Sequence, residues 1–161
     1  MRAGHSTDME KGFDSLSLDG MDRLGRALAD ALFDGAFIAM YGDLGAGKTT
    51  LVKSVAAELG IYDVLSPTFT IVREHEGSMK LFHFDAYRLS DADELYAIGF
   101  DDYMRRGGVC IMEWPQNVSE ALPAERLDIF IEGSGDMRRK VKLSSHGEKY
   151  DAVIAAAEGV E

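Results

Sequence analysis

Apolar positions along this chain fall into a few spacings, and each spacing predicts an element. Met21, Leu24, Leu28 and Leu32 repeat at i, i+3 and i+4, the stripe of an amphipathic helix, with Asp19 placed to cap it. Ala36 to Tyr41 is a short apolar run of strand length, and Thr50 to Leu59 has helical spacing that Gly60 stops. Phe69 to His75 and Met79 to Phe84 are β-like runs around Glu76-Gly77-Ser78, which predicts a hairpin. Ser90 and Asp91, with Asp93 or Glu94 completing a capping box, predict a helix carrying Leu95 and Ile98 that Gly99 ends or bends. Gly107-Gly108 leads into Val109 to Glu113, an apolar run closed by a carboxylate, which reads as a buried strand terminated by Trp114-Pro115. Arg126 to Ile131 and Met137 to Leu143 predict a second hairpin across Gly133-Ser134-Gly135, and residues 147–157 a closing helix. Phe13, Leu16 and Leu18 are weakly patterned and fit an edge strand. The expected organisation is a flexible tail over residues 1–12 and one domain over 13–157.

Between the first long strand and its helix stands Gly42-Asp43-Leu44-Gly45-Ala46-Gly47-Lys48-Thr49, which fits G-x-x-x-x-G-K-[ST]. Strand, glycine loop and helix follow in the order a phosphate-binding P-loop requires. Glycines at 42, 45 and 47 allow positive φ and a close approach to an anion, so successive N–H groups can face phosphate oxygens. Lys48 is placed for the β- and γ-phosphates, Thr49 for Mg²⁺, and Thr50 for the helix N-terminus behind them. The fold class expected is therefore α/β and P-loop NTPase-like. It has a central, mostly parallel sheet, helices on both faces and added antiparallel hairpins.

Length and charge narrow the partners. At 161 residues the chain has room for one ordinary domain with a real core. Its apolar content of 46% and charged content of 28% are those of a globular protein. Seventeen Lys and Arg against 28 Asp and Glu leave a net charge of −11, which argues against a general electrostatic grip on nucleic acid. No apolar run approaches the roughly 20 residues that span a bilayer, and residues 1–11 lack the apolar segment of a secretory signal, so the expectation is a cytoplasmic protein without a membrane partner. Cys110, the one cysteine, excludes an internal disulfide and reads as a small buried hydrophobe. His5, His75, His83 and His146 have no metal-ligand spacing and read as surface or packing residues.

Two acids close apolar strands, Asp85 and Glu113, and ligands bind at the carboxyl edge of α/β sheets. Phosphoryl transfer needs Mg²⁺ ligands and a group that orients the nucleophile. Asp85 is the preferred metal ligand, with Glu113 shared between metal and water. Ser66-Pro67-Thr68-Phe69-Thr70 lies where nucleotide-sensing loops sit, although a plain turn explains it equally well. Arg88 is a candidate cis arginine, and Trp114 a candidate stacking residue whose commoner role is packing. Arg105-Arg106 and Arg138-Arg139-Lys140, the local basic clusters, read as solvated faces. The guanine-recognising Asn/Thr-Lys-x-Asp is absent, since Asn117 has no lysine after it and Glu148-Lys149-Tyr150-Asp151 begins with glutamate. ATP is the expected nucleotide.

Taken together, the glycine loop through Leu51, Ser66-Pro67-Thr68-Phe69-Thr70, His83-Phe84-Asp85-Ala86-Tyr87-Arg88-Leu89 and Glu113-Trp114-Pro115 resemble the TsaE family, from about residue 13 to 143. The resemblance implies a weak ATPase that works with TsaB and TsaD in forming N6-threonylcarbamoyladenosine at position 37 of tRNA, and meets tRNA through that complex. It implies phosphate and Mg²⁺ roles for Lys48 and Thr49, and roles in metal binding and hydrolysis for Asp85 and Glu113. The chain departs from the family pattern at Met21, where a threonine is common, at Ala86 and at His75. Two other readings stay open. One is a small-molecule kinase of the shikimate-kinase type, with Arg73, Arg88, Arg105 and Arg106 as its basic anchors. The other is a nucleotide-gated adaptor without significant turnover.

Overall fold

The computed structural model describes residues 8–67 and 70–161. One seven-stranded sheet runs in the order β1-β7-β6-β2-β5-β4-β3. Its strands are β1 (Glu10–Leu16), β2 (Phe37–Tyr41), β3 (Val72–His75), β4 (Leu81–Asp85), β5 (Val109–Glu113), β6 (Arg126–Glu132) and β7 (Arg139–His146). β6, β2, β5 and β4 are mutually parallel, and β1 points the same way, while β7 and β3 are antiparallel to their neighbours. The helices are α1 (Leu18–Asp30), α2 (Lys48–Glu58), α3 (Ala92–Ala97), α4 (Phe100–Arg105) and α5 (Glu148–Ala156), with a 3-10 segment at Pro115–Ala121.

Strand alternation sorts the core into two clusters. Ile38 and Met40, Leu81, Val109 and Ile111 face α1, α2 and α5, whereas Phe37 and Ala39, Phe82, Phe84, Cys110 and Met112 face α3, α4 and the 3-10 segment. Both faces are covered, so the central strands are apolar throughout, which is why their periodicity is invisible in the sequence. α1 and α2 pack closely. A Cβ at Gly25 would stand 2.5 Å from Ser54 Cβ, and the Ser54 hydroxyl donates to Asp22 Oδ1 at 2.7 Å.

Several expectations shift in detail. The cap of α1 is Ser17, whose side chain accepts from the Gly20 amide, and Asp19 lies inside the first turn. β1 takes in Glu10, Lys11 and Gly12, which the sequence assigned to the tail, because pairing with β7 continues to Glu10 opposite Ser144. The expected helix around Leu95 is capped by Asp91, with Glu94 accepting from the Ser90 amide, and it is followed by a second helix that starts at Gly99 with φ 90°. β6 and β7 form the expected second hairpin, and β6 also runs parallel to β2, which joins that hairpin to the central sheet. β3 begins only at Val72, while Phe69, expected at the start of that hairpin, and Thr68, expected in the loop before it, lie outside the described residues. Among the described residues, no helix is long and apolar enough to cross a membrane.

Candidate functional site at the carboxyl edge of the sheet

The loop between β2 and α2 holds the shape its glycines predict, with one difference in cause. Gly45 and Gly47 adopt φ of 82° and 104°, conformations that an L side chain rarely takes. Gly42 is not in that region. Its need is space, since a Cβ there would stand 2.9 Å from the Ile131 carbonyl of β6. Asp43, Leu44, Gly45, Thr49 and Thr50 are exposed along the loop and the start of α2, while Ala46 is buried beneath it.

Lys48 is 5% exposed, and its Nζ donates to the Gly42 carbonyl at 2.6 Å. Nζ also lies 3.9 Å from Glu113 Oε1 and 4.1 Å from the centroid of the Trp114 ring. Burial pushes the Lys48 pKa down, and the Glu113, Asp85 and Asp43 carboxylates oppose that shift. Trp114 reaches this position with φ 58°, a strained left-handed conformation for a large side chain, directly before the 3-10 turn.

Asp85 and Glu113 are register partners at the ends of β4 and β5, so the parallel sheet brings together two acids 28 residues apart in sequence. Their environments differ. Asp85 accepts from the Tyr87 amide at 2.9 Å, yet burial, with Glu113 beside it, holds its carboxyl above the usual range. Glu113 is 7% exposed, and its Oε2 is bonded to His83 Nε2 at 2.6 Å. His83 is 1% exposed and points to the same face as Leu81 and Asp85. It is neither a surface residue nor simple packing, and its signal was a polar residue inside the otherwise apolar Leu81–Phe84 run.

Arg139 is a second correction. At 4% exposure it is no part of a solvated basic face. Its guanidinium donates to the carbonyls of Ala46 at 2.7 Å and Gly135 at 2.9 Å, and also to those of Ser134 and Met137, clamping the β6–β7 turn onto the glycine loop. The inward alternation of Arg139, Val141 and Leu143 on β7 was the available clue. Asn117 likewise has a structural task, since its amide donates to the Ala86 and Tyr87 carbonyls and fixes the turn after Asp85.

Two cavities open at this edge. The larger, about 550 Å³, is lined by Thr49, Ser66, Asp85, Tyr87, Arg88, Glu113 and Trp114 among others. The other, about 430 Å³, is lined by Gly45, Gly47, Lys48, Thr50, Gly135 and Arg139, and both share Leu44, Thr49 and Glu113. Ile71, with φ 66°, borders the larger cavity and accepts from the Asp85 amide at 2.7 Å. Among the described residues no group of three or more His, Cys, Asp or Glu forms a metal cage. A hydroxyl and two carboxylates suit a cation that keeps most of its ligands as water and phosphate oxygen, which is the habit of Mg²⁺.

The model of the family described as threonylcarbamoyl adenosine biosynthesis protein TsaE matches residues 16–141. This chain belongs to the TsaE family. It is 43% identical over 119 residues to the tRNA threonylcarbamoyladenosine biosynthesis protein TsaE of Bacillus subtilis, covering 73% of this chain and 74% of that protein. The Treponema pallidum protein of the same name is 33% identical over 131 residues, 81% of this chain and 97% of its own length. The crystal structure of Bacillus subtilis YdiB matches the fold with a TM-score of 0.79 at 31% identity, covering 95% of this chain and 97% of that one. The family match contains the glycine loop, His83, Asp85, Glu113 and Arg139.

Proposed function

We propose that this chain binds MgATP, hydrolyses it slowly by itself, and spends that hydrolysis in support of N6-threonylcarbamoyladenosine formation in tRNA, acting with TsaB and TsaD in the cytoplasm. The observation that carries the reading is the convergence of Lys48, Thr49, Asp85 and Glu113 around a positive-φ glycine loop at one sheet edge. The names of the relatives support the pathway. The net charge of −11 supports contact with tRNA through the complex rather than by this chain's own surface.

In this reading water attacks the γ-phosphorus in line, and the bond from that phosphorus to the β–γ bridging oxygen breaks as the new P–O bond forms. Lys48, itself buried, and the loop amides hold the charge on the phosphate oxygens. Thr49 and Asp85 would hold Mg²⁺, with Glu113 shared between metal and water. Magnesium bound there supplies neutralising charge to the β- and γ-phosphates. Glu113 Oε1, facing Lys48, accepts a hydrogen bond from the attacking water and orients it.

The test is ATP hydrolysis with Mg²⁺ by the protein alone and with purified TsaB and TsaD. Stimulation by the pair, lost in Glu113→Ala, is expected. ATP binding without turnover under both conditions would favour the adaptor reading. The 550 Å³ cavity favours one further reading, because it has the size of a small-molecule site and carries Arg88. Transfer of the γ-phosphoryl to a small acceptor, instead of release as inorganic phosphate, would establish that kinase reading.

A further inference from the structure

We infer that His83 is the positioning residue for Glu113, a role that rests on the proposed hydrolysis and deepens it. An ionised carboxylate only accepts hydrogen bonds, so the 2.6 Å contact is donated by His83 Nε2 to Glu113 Oε2. That bond occupies Oε2 and leaves Oε1, the oxygen 3.9 Å from Lys48, for other partners, on a side chain that borders both cavities. The ring makes no competing bond, since Nδ1 is buried without a hydrogen-bond partner among the described residues. Among the described residues, the hydrogen bond of the ring is therefore the one to Glu113.

The position itself argues for a task. His83 lies in mid-strand, opposite Ile111 on β5, and is 1% exposed, in a layer where Leu81, Val109 and Ile111 are fully buried. An aliphatic residue would fill that layer without leaving a buried nitrogen unsatisfied, which costs stability. What histidine adds is a donor on a ring whose rotation the packed strand prevents. A glutamate has three side-chain torsions, and a carboxylate that must meet a water and a cation at fixed distances gains from having one oxygen held.

The test compares His83→Gln with His83→Asn. The glutamine amide nitrogen takes the place of Nε2 and keeps the bond, while the asparagine amide takes the place of Nδ1 and falls short of Glu113. MgATP affinity, kcat for hydrolysis and the crystal structure are read for both, beside wild type, Glu113→Gln and the His83→Asn/Glu113→Gln double variant. His83→Asn should bind MgATP within about twofold of wild type and lose at least about tenfold in kcat. His83→Gln should recover most of that loss. His83→Asn should cost nothing further on top of Glu113→Gln, since the two act as one unit. Equal losses in Asn and Gln, additive losses in the double variant, or unchanged kcat in Asn would overturn the inference. The crystal structures read it even if wild type proves inactive, an outcome that would sink the ATPase reading alone. A Glu113 carboxylate that moves in the Asn variant and stays in the Gln variant supports the positioning role, and one that stays in both refutes it.

Discussion

Strands β4 and β5 present Leu81, His83 and Asp85 with Val109, Ile111 and Glu113 to one face of the sheet, and Phe82 and Phe84 with Cys110 and Met112 to the other. The second face is built from rings. Phe84 meets Phe100 and Tyr103 edge to face at centroid distances of 5.5 and 5.4 Å, and Phe37 meets Phe100 at 6.3 Å. The first face begins as an aliphatic core under α1, α2 and α5 and turns polar from His83 on β4 and at Glu113 on β5, where it meets the glycine loop. Rigid packing on one side thus sets the positions of the charged groups on the other. Strands are well suited to this, because a single backbone carries both faces and a one-residue slip would exchange them.

That division is open to attack from both sides, and the largest effect should come from the aromatic face. Phe84→Ala removes a fully buried ring and should cost roughly 3–5 kcal/mol in a denaturant melt, without touching a proposed ligand. If the division holds, the folded fraction of that variant still binds MgATP.

On the polar face, Lys48→Ala should lower kcat/KM for ATP by about 100-fold or more, the scale for one charge-stabilising donor in a buried site. Its melting temperature should change little, since removal of a buried ammonium is offset by the contacts to the Gly42 carbonyl and Glu113 that are lost with it. A large fall in melting temperature would show that the two faces are not separable.

Gly25→Ala probes the join between α1 and α2 behind the loop. The added methyl would overlap Ser54 and should cost about 1–3 kcal/mol, read as a lower denaturant midpoint. Unaltered stability would mean that the helices part freely.

The smallest effect should come from Asp85→Asn, and its sign is the informative part. The raised carboxyl pKa of folded Asp85 means that the folded chain holds that proton more tightly than the unfolded one. Its charge therefore costs stability above the raised pKa. The cost fades as pH falls through that value toward the ordinary carboxylate pKa, below which both states are protonated. Asp85→Asn should raise the melting temperature of the ligand-free protein at pH 7, and the gain should vanish near pH 3. Hydrolysis should fall in the same variant, which separates a group kept for chemistry from one kept for the fold.

Legibility followed the range of the interactions. Gly45, Gly47, Lys48 and Thr49 were readable because a glycine loop needs only its neighbours, a strand before it and a helix after it. Asp85 and Glu113 were readable as strand-end acids. Their meeting at one site was expected, but that they are direct register partners was not, because register between parallel strands is set by packing across the sheet. Ser17 and Asp19 are both good helix caps, and only the backbone selects Ser17 as the cap of α1. The roles of His83 and Arg139 are hidden in the sequence for one shared reason. Their partners, Glu113 and the Ala46 carbonyl, lie 30 and 93 residues away.

By itself the sequence determined the glycine loop between β2 and α2, the alternation of strand and helix, the acids that close β4 and β5, and the motifs that place the chain beside its relatives. All of these are local, written in glycine, in apolar spacing and in short fixed strings. Only the tertiary structure decided that Gly42 is needed for space against β6, that Arg139 clamps the loop from the far hairpin, and that one glutamate is held between a lysine and a histidine. Those are contacts across the sheet, and their geometry exists only once the strands have paired.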